Sequence, residues 1–285
     1  MNNKRKIRYF LGKLLYPLVR RNKDIYKRLS FTKDVSTTVG DKELFFHCHN
    51  EVVSNKIFYT GVFGDFEGET LRLWHDCILK LQPKLILDIG AFTGIYSLLA
   101  ALLDKTSKIY AFEPNPITFK FLEKNIRLNS FSNVHPFNYG VSTFNGEQTF
   151  YNWGERADSG MSIINHQFIE KDLGKISLKV KDFAHIRTDA NQRIDLIKMD
   201  IERAELPILI HAKEYIKKDR PVIFCEVLDK TAYKEFDNFF NGLDYNFIKI
   251  DDKNKHNFHS QIMADESIVG MNWIFYPAEK KEIFN

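Results

Sequence analysis

The chain has 285 residues, 44% of them hydrophobic and 27% charged, with a net charge of +4. These values are typical of a soluble globular protein with a full core, and no apolar run reaches the roughly 18–20 residues that a bilayer-spanning helix needs. Basic residues are scattered except near the N-terminus, so nucleic-acid binding is not predicted, and the three distant cysteines (Cys48, Cys77, Cys225) predict reduced thiols in a cytoplasmic protein rather than a zinc site.

Residues 4–29 have the pattern of a basic amphipathic helix, in which Pro17 introduces a kink. One interpretation is peripheral contact with an anionic membrane surface at the inner face. The other, which we favour, is packing on the domain or on a partner subunit of a homo-oligomer. The segment lacks a small-residue cleavage site, so no signal peptide is predicted.

Residues 1–65 are predicted to form an N-terminal helical and β-rich extension, with short strands at 43–49 and 56–60. His47 and His49 lie two apart and would share one face of a strand, as half of a metal site would require. No cluster of His or Cys residues completes such a site, so a structural role is favoured.

A second domain is predicted over residues 66–285. It is entered through a glycine-rich turn at 61–70, which leads into a helix ending near Leu81. The acidic residues of this turn favour the positive end of the helix dipole. Glu67 has a second interpretation, in which it faces a cofactor from this segment.

The stretch from residue 84 to 100 combines an apolar strand ending at Asp88, a turn with Gly90 and Gly94, and an apolar helix. Strand, glycine turn and helix N-terminus together form a nucleotide-binding arrangement. The spacing is Asp-x-Gly-x-x-x-Gly, whereas a pyrophosphate is bound by the tighter Gly-x-Gly-x-x-Gly. The adjacent carboxylate suits the amino-acid end of S-adenosylmethionine.

Strands and helices alternate after this stretch, which predicts a parallel sheet with helices on both faces. The predicted helices cover residues 94–104, 116–129, 204–217 and 230–241, and the predicted strands cover 108–112, 134–139, 176–181, 194–199, 221–227, 245–250 and 272–277. A hairpin is predicted at 141–151, with an Asn-Gly turn, followed by a polar lid at 152–175. A polar loop at 251–269 separates the last two strands, which implies an antiparallel final pair.

Four predicted strands end in acids, at Asp88, Glu113, Asp200 and Glu226. In open α/β sheets the ligand lies beyond the carboxyl ends of the strands, so these acids describe one polar site. Glu113 closes the second strand, where an acid accepts hydrogen bonds from the ribose hydroxyls.

Five segments carry a family resemblance: Asp88-Ile-Gly-Ala-Phe-Thr-Gly94, Ala111-Phe-Glu-Pro-Asn-Pro116, the stretch from Ile194 to Glu202, Asn272-Trp-Ile-Phe, and Gly64-Asp-Phe-Glu67. Together they resemble the FkbM-type S-adenosylmethionine-dependent methyltransferases over about residues 60–277. The resemblance implies a Rossmann-like, seven-stranded class I methyltransferase sheet with an antiparallel last strand. It also implies O-methylation of a sugar, glycan or natural-product hydroxyl, as in polysaccharide biosynthesis. The residues matched as cofactor contacts are Glu67, Asp88, Gly90, Phe92, Thr93, Gly94, Glu113, Pro114 and Asn115.

Arg203 departs from the family pattern, which usually has glycine after the Asp-x-Glu segment. This side chain is interpreted either as a contact for an anionic substrate group or as a group that narrows the site. It also supports an alternative function, a non-catalytic cofactor-binding or assembly protein that retains the methyltransferase fold.

Methyl transfer needs alignment of the acceptor oxygen and a base for its proton. The base candidates are Asp200 and Glu202, with Glu226 third, although the first two also suit the start of a helix. Nearby carboxylates can also hold a divalent cation, but no metal ligand is assigned. Trp153 in the predicted lid is interpreted either as stacking on a sugar face or as packing under the loop. The resemblance implies substrate and cofactor contacts near Ser159, which is taken as an acceptor contact together with Trp153 and Arg203.

Overall fold

The computed structural model describes residues 32–49, 51–152, 161–162, 175–186, 192–228, 232–251, 255–259 and 271–284. The amphipathic segment at 4–29, Trp153 and Ser159 lie outside the described residues, and the predictions made for them stay predictions. Within the described part of the chain, no helix has the length and apolarity needed to cross a membrane.

The helices and strands follow one another in an alternating order over most of the chain. The strands are β1 (Thr32–Val39), β2 (Lys42–His49), β3 (Leu85–Ile89), β4 (Lys108–Phe112), β5 (Val134–Phe137), β6 (Gly140–Ser142), β7 (Gly146–Asn152), β8 (Met161–Ser162), β9 (Lys175–Asp182), β10 (Leu196–Met199), β11 (Val222–Glu226), β12 (Tyr245–Asp251), β13 (Lys255–His259) and β14 (Asn272–Pro277). The helices are α1 (Val52–Thr60), α2 (Gly68–Leu81), α3 (Ile95–Leu103), α4 (Pro116–Leu128), α5 (Glu205–His211), α6 (Lys213–Asp219) and α7 (Tyr233–Asn241), with short 3₁₀ turns at Phe183–His185 and Ala278–Phe284.

The central sheet has the strand order β13-β12-β14-β11-β10-β3-β4-β5. Strands β11, β10, β3, β4 and β5 are parallel neighbours, and β14 runs antiparallel between β11 and β12. This is the predicted seven-stranded, mostly parallel sheet with an antiparallel last strand, extended at its edge by β13. The prediction of a continuous loop at 251–269 is therefore wrong at β13, which pairs antiparallel with β12.

Both faces of the sheet are covered, as the near-continuous apolar strands require. One core lies between the sheet and α2, α3 and α4, and it also includes buried side chains of the extension, among them Val35, Phe46 and Phe58. The other core lies under α5, α6 and α7. The extension therefore packs on the same face of the sheet as α2, α3 and α4.

The segment predicted as a strand at 56–60 is instead the end of helix α1. The carboxylate of Glu51 caps this helix by accepting hydrogen bonds from the backbone N–H groups of Val53 and Ser54, both at 2.5 Å. Val53 and Ile57, one helical turn apart, are both buried. The aromatic residues that suggested a strand are compatible with a helix once its N-terminus is capped.

Two other local predictions are wrong. Strands β6 and β7 do not form a hairpin, because β9 lies between them and pairs parallel with β6 and antiparallel with β7. The Asn145 side chain accepts a hydrogen bond from the backbone N–H of Asp182 at the end of β9. The predicted helix at 204–217 is divided into α5 and α6 at Ala212, whose ψ of 5° departs from helical geometry.

Candidate active site

The turn after β3 is held against the two neighbouring strand ends. Gly90 has a φ of 83°, and its N–H and that of Ala91 both donate to the carbonyl of Phe112, at 3.0 and 2.9 Å. A Cβ at position 90 would lie 1.9 Å from the carbonyl oxygen of Asp200. Glycine is therefore required here, because only its absent side chain lets the β3 and β10 strand ends approach this closely.

Asp88 lies behind this turn. Its Oδ2 accepts hydrogen bonds from the backbone N–H of Ser97 (3.1 Å) and from the Ser97 hydroxyl (2.5 Å), which fixes the start of α3 on β3. Burial raises the pKa of Asp88 to about 6, although the Ser97 hydrogen bonds lower it. These contacts fix the turn, and the expected contact of Asp88 with the amino-acid end of the cofactor stays a prediction.

Thr93 and Gly94 also serve the packing of the turn. The buried Thr93 accepts a hydrogen bond on its carbonyl from the Asn125 side chain (2.8 Å). A Cβ at Gly94, where φ is 94°, would lie 2.5 Å from a methyl carbon of Leu122. These two residues hold α3 and α4 together beneath the site.

Glu113 follows β4 and orders the loop around it. Its Oε2 accepts the N–H of Phe92 (2.9 Å), and its Oε1 accepts the N–H of Asn115 (2.9 Å) and the hydroxyl of Thr118 (2.8 Å). A carboxylate has about four acceptor positions, so Oε2 retains capacity for another donor. Burial raises the pKa of Glu113 to about 7, against the effect of these hydrogen bonds.

A cavity of about 280 Å³ opens at this edge of the sheet, and we call it the strand-end cavity. Its lining residues are Val53, Phe66, Glu67, Gly90, Phe92, Glu113, Pro114, Asn115, Thr118, Phe150, Asp200, Ile201, Glu202 and Glu226. A second cavity of about 140 Å³, the side cavity, shares four of these residues, Gly90, Pro114, Phe150 and Ile201, and adds the apolar Val141, Val180 and Ile208. Nine of the predicted site residues therefore line one cavity, namely Glu67, Gly90, Phe92, Glu113, Pro114, Asn115, Asp200, Glu202 and Glu226, whereas Asp88, Thr93 and Gly94 hold the turn beside it.

Three carboxylates meet on one side of the strand-end cavity. One oxygen each of Asp200, Glu202 and Glu226 lies within 4.8 Å of the other two. Burial and the neighbouring Asp200 raise the pKa of Glu202 to about 7, and the same two causes raise the pKa of Glu226 further. These three residues, the carboxylate cluster, are close enough to share a proton or a cation, but acidic groups at such distances are common without a metal.

Glu67 brings a fourth carboxylate into the cavity from the segment before α2. Its backbone is left-handed, with φ 43° and ψ 37°, and its side chain makes no capping bond to α2. Instead Oε2 accepts a hydrogen bond from the Tyr96 hydroxyl of α3 at 2.5 Å. Burial raises the pKa of Glu67, while Lys198 lowers it. The interpretation of Glu67 as a group that faces the cavity thus agrees with its placement.

Lys198 is not among the site residues that the sequence predicts, but the structure places it beside Asp200. It lies in the centre of the sheet, 1% exposed, with its Nζ 3.2 Å from Asp200 Oδ2 and 4.9 Å from the ring centroid of Tyr96. The signal for it was available, because a lysine inside an apolar central strand needs a buried partner. Val53 and Phe66, which also line the cavity, had no comparable signal.

Strained backbone is concentrated at this edge. Among the described residues with positive φ other than glycine, four belong to the site region, namely Glu67 (43°), Phe92 (50°), Glu202 (57°) and Arg203 (81°). Such conformations cost of order 1–3 kcal/mol each and are retained where the surrounding structure imposes them, often at functional sites.

Arg203 lies just outside the strand-end cavity. It is exposed and lines a third cavity of about 200 Å³, together with the apolar residues Ile210, Val227 and Phe236. Its charge lowers the pKa of the adjacent Glu202. Arg203 is not among the lining residues of the strand-end cavity, so it does not narrow that cavity, and its interpretation as a contact for an anionic substrate group stays a prediction.

The sheet order, the antiparallel β14 and a polar cavity at the carboxyl ends of the parallel strands define a Rossmann-like methyltransferase fold. The chain belongs to the methyltransferase FkbM domain family, whose sequence profile matches residues 88–258. The resemblance seen in the sequence is thus confirmed, and the protein is placed among methyltransferases.

Individual relatives are more distant. An uncharacterized protein of Methanocaldococcus jannaschii is 25% identical over 174 residues, covering 59% of this chain and 61% of the relative. The tRNA(Phe) (4-demethylwyosine(37)-C(7)) aminocarboxypropyltransferase of the same organism is 24% identical over 154 residues, covering 52% and 59%. Less than two thirds of the length of either relative is therefore matched. A crystal structure of methyltransferase FkbM from Methylobacillus flagellatus KT has a TM-score of 0.44 at 17% identity, covering 68% of this chain and 43% of that one.

Proposed function

We propose that the protein is an S-adenosylmethionine-dependent O-methyltransferase that methylates a hydroxyl of a sugar, glycan or natural product. The observation that carries the proposal is the carboxylate cluster, whose three residues line the strand-end cavity together with Gly90 and Glu113. A ligand in this cavity would meet both the glycine turn and potential proton acceptors.

The cavities fit the parts of this cofactor. The remaining acceptor position on Glu113 Oε2 suits a ribose hydroxyl, and the carboxylate of Glu67 suits the ammonium group. The apolar side cavity suits the flat adenine ring, with Pro114 and Phe150 on the shared wall. When bound, the cofactor supplies an electrophilic methyl group on its sulfonium.

The chain's own task is to align the acceptor hydroxyl and remove its proton. Asp200 and Glu202 are the base candidates within the cluster, and Glu202 has a pKa of about 7, close to the value at which a general base works best at neutral pH. Glu226, whose pKa is raised further, suits a hydrogen-bond donor to the acceptor. As the general base, we therefore rank Glu202 first, Asp200 second and Glu226 third.

Arg203 is proposed to bind an anionic group of the acceptor, because it follows Glu202 in the chain and its side chain is exposed. Trp153 and Ser159 remain predicted acceptor contacts. Peripheral membrane contact through residues 4–29, a cytoplasmic location at the inner membrane face, homo-oligomerisation and the absence of a nucleic-acid partner remain proposals drawn from the sequence.

The test is to measure cofactor binding by calorimetry and methyl transfer by mass spectrometry for Asp200→Asn and Glu202→Gln. We expect kcat to fall by about 100-fold or more in at least one variant, with the cofactor Kd nearly unchanged, because general base catalysis contributes 10²–10⁴-fold. Glu214→Gln, at an exposed acid of α6, is the matched control. Unchanged kcat in both variants would refute the base assignment.

Two outcomes would support other functions. Cofactor binding without any methylated product, across sugars and extracts of the source cell, would favour the non-catalytic binding or assembly protein. Transfer of the aminocarboxypropyl group, the reaction named for the archaeal relative, would give a product of different mass and would replace methyl transfer as the activity. A transfer RNA acceptor belongs in the same screen for that reason.

A further inference from the structure

Lys198 provides a positive charge at the centre of a strongly acidic region. Its buried ammonium pairs with Asp200, and the acids Glu67, Glu226 and Asp88 all act on it electrostatically. Burial lowers the pKa of Lys198, but these acids outweigh that effect and raise it above its usual range. The side chain is therefore a permanent cation.

The position of this cation is fixed from several sides. The strand β10 places Lys198 between β3 and β11, with Asp88 as its register partner in β3. The aromatic face of Tyr96 lies 4.9 Å from Nζ, and the Tyr96 hydroxyl donates to Glu67. A cation held by a carboxylate and an aromatic ring in a desolvated place moves little.

We propose that the ammonium of Lys198 is the resident counter-ion of the carboxylate cluster, and that it positions Asp200 for the acceptor hydroxyl without help from a divalent cation. The catalytic part of this inference rests on the proposed function. Lys198 is a positioning residue, because it acts through Asp200 rather than on the methyl group or the acceptor.

The geometry supports the ammonium over a metal ion as the counter-ion. Divalent cations lie about 2.0–2.6 Å from their oxygen ligands. An ion bound to Asp200 Oδ2, which is 3.2 Å from Nζ, would therefore stand within about 6 Å of the ammonium. Two positive centres at that distance repel each other, and the burial of the ammonium strengthens this repulsion.

The experiment compares Lys198→Met with Lys249→Met. Lys249 is a suitable control because it is also buried, 2% exposed, and lies 5.4 Å from the Trp273 ring, but belongs to β12 rather than to β10, the strand that leads to Asp200. Both variants and the wild type are studied in EDTA and in Mg²⁺, by methyl transfer, by calorimetry with S-adenosylmethionine and by thermal unfolding.

We expect wild-type kcat to be the same in EDTA and in Mg²⁺. Lys198→Met should lose about 100-fold in kcat, the cost of misplacing a reacting group by about 1 Å, with KM for the acceptor and Kd for the cofactor changed much less. Lys198→Arg, which retains the charge, should recover part of kcat. Lys249→Met should retain kcat in any variant that folds.

Two results would overturn the inference. One is wild-type activity that disappears in EDTA and returns with Mg²⁺, and the other is full kcat in Lys198→Met. The wild-type comparison needs no variant to fold.

The unfolding measurements decide the inference even if no methyl transfer is found, in which case the proposed function alone has failed. Lys198→Met, whose cluster lacks its cation, should then be stabilised by Mg²⁺ more than the wild type or Lys249→Met. Equal stabilisation of all three proteins, or specific Mg²⁺ binding by the wild type in calorimetry, would contradict it.

Discussion

Gly90 and Asp200 approach so closely that a methyl group on Gly90 would lie 1.9 Å from the carbonyl oxygen of Asp200. Gly90→Ala must therefore part the β3 and β10 strand ends, and it also places alanine at a φ of 83°. Combining left-handed strain of 1–2 kcal/mol with overpacking of 1–3 kcal/mol, we expect a loss of roughly 2–5 kcal/mol in denaturant unfolding. Cofactor binding should be lost as well.

Gly40→Ala is the matched control for this prediction. Gly40 also has a positive φ, 61°, but a Cβ there meets no atom within 4 Å. The variant should lose only the stability that left-handed strain costs, about 1–2 kcal/mol, with cofactor binding intact. Equal losses in the two variants would mean that the close approach at Gly90 contributes nothing.

Glu113 is expected to hold the cofactor and to order its own loop. Glu113→Ala should weaken S-adenosylmethionine binding by at least about tenfold in calorimetry, since a hydrogen bond to a charged group contributes about 1.5–3 kcal/mol. Thr118→Val removes one of the donors to Oε1 and leaves the carboxylate in place. This variant should therefore lose less affinity for S-adenosylmethionine than Glu113→Ala. A larger effect from Thr118→Val would assign the binding to the loop rather than to Glu113.

The rate of methyl transfer is expected to depend on pH. A base must be deprotonated to act, and Glu202 has a pKa of about 7, so kcat/KM should rise as the pH increases through about 7 and then level off. Glu202→Gln should remove this limb. A profile that is flat from about pH 6 to pH 8 in the wild type would exclude Glu202 as the base.

The stability of the protein is expected to decrease as the pH rises, because of Asp88. Its pKa is raised from 3.8 to about 6 in the folded protein, so between these values the folded state binds more protons than the unfolded state. The free energy of unfolding therefore falls as the pH rises through this window, by up to about 3 kcal/mol from this group.

The variant Asp88→Asn cannot titrate and should show a shallower pH dependence in denaturant unfolding. Its absolute stability is a separate matter, because the amide does not reproduce both bonds to Ser97 equally well. Asp41→Asn, at an exposed acid between β1 and β2, should keep the wild-type slope. If the free energy of unfolding of Asp88→Asn changes with pH in parallel with that of the wild type, Asp88 does not hold a proton in this range.

Arg203 occupies a backbone conformation, φ 81°, that glycine adopts without strain. Arg203→Gly should therefore keep its stability or gain up to about 1 kcal/mol in denaturant unfolding. If the guanidinium binds an anionic acceptor, KM for the acceptor should rise by about tenfold or more in Arg203→Gly. The KM of Arg203→Lys should lie between those of the wild type and Arg203→Gly. An unchanged KM in Arg203→Gly would remove Arg203 from the acceptor site.

Structural elements that depend only on residues adjacent in the chain could be predicted from the sequence. The apolar strand before Gly90, the helix beginning after Gly94 and the acid after β4 are each specified by neighbouring residues, and the structure has all of them. The alternation of strands and helices likewise predicted the parallel sheet. Local steric freedom and hydrophobic periodicity act over a few residues, so they can be recognised without the fold.

Local signals were misleading where a distant partner decided the structure. The Asn-Gly pair before β7 suggested a hairpin, but β9 inserts between β6 and β7. The β-branched and aromatic residues Ile57, Phe58 and Tyr59 suggested a strand, but the cap from Glu51 and burial in the first core favour a helix. Pairing and burial are properties of the whole fold, and they override weak local preference.

The sequence by itself determined the glycine turn, the acids at the strand ends and the family to which the chain belongs. Only the tertiary structure decided that Asp88 supports the turn from behind, that Glu67 reaches Tyr96, and that the ammonium of Lys198 lies against Asp200. The physical reason is desolvation: a buried charge requires a partner, and which residue becomes that partner depends on how β3, β10 and the segment before α2 come together.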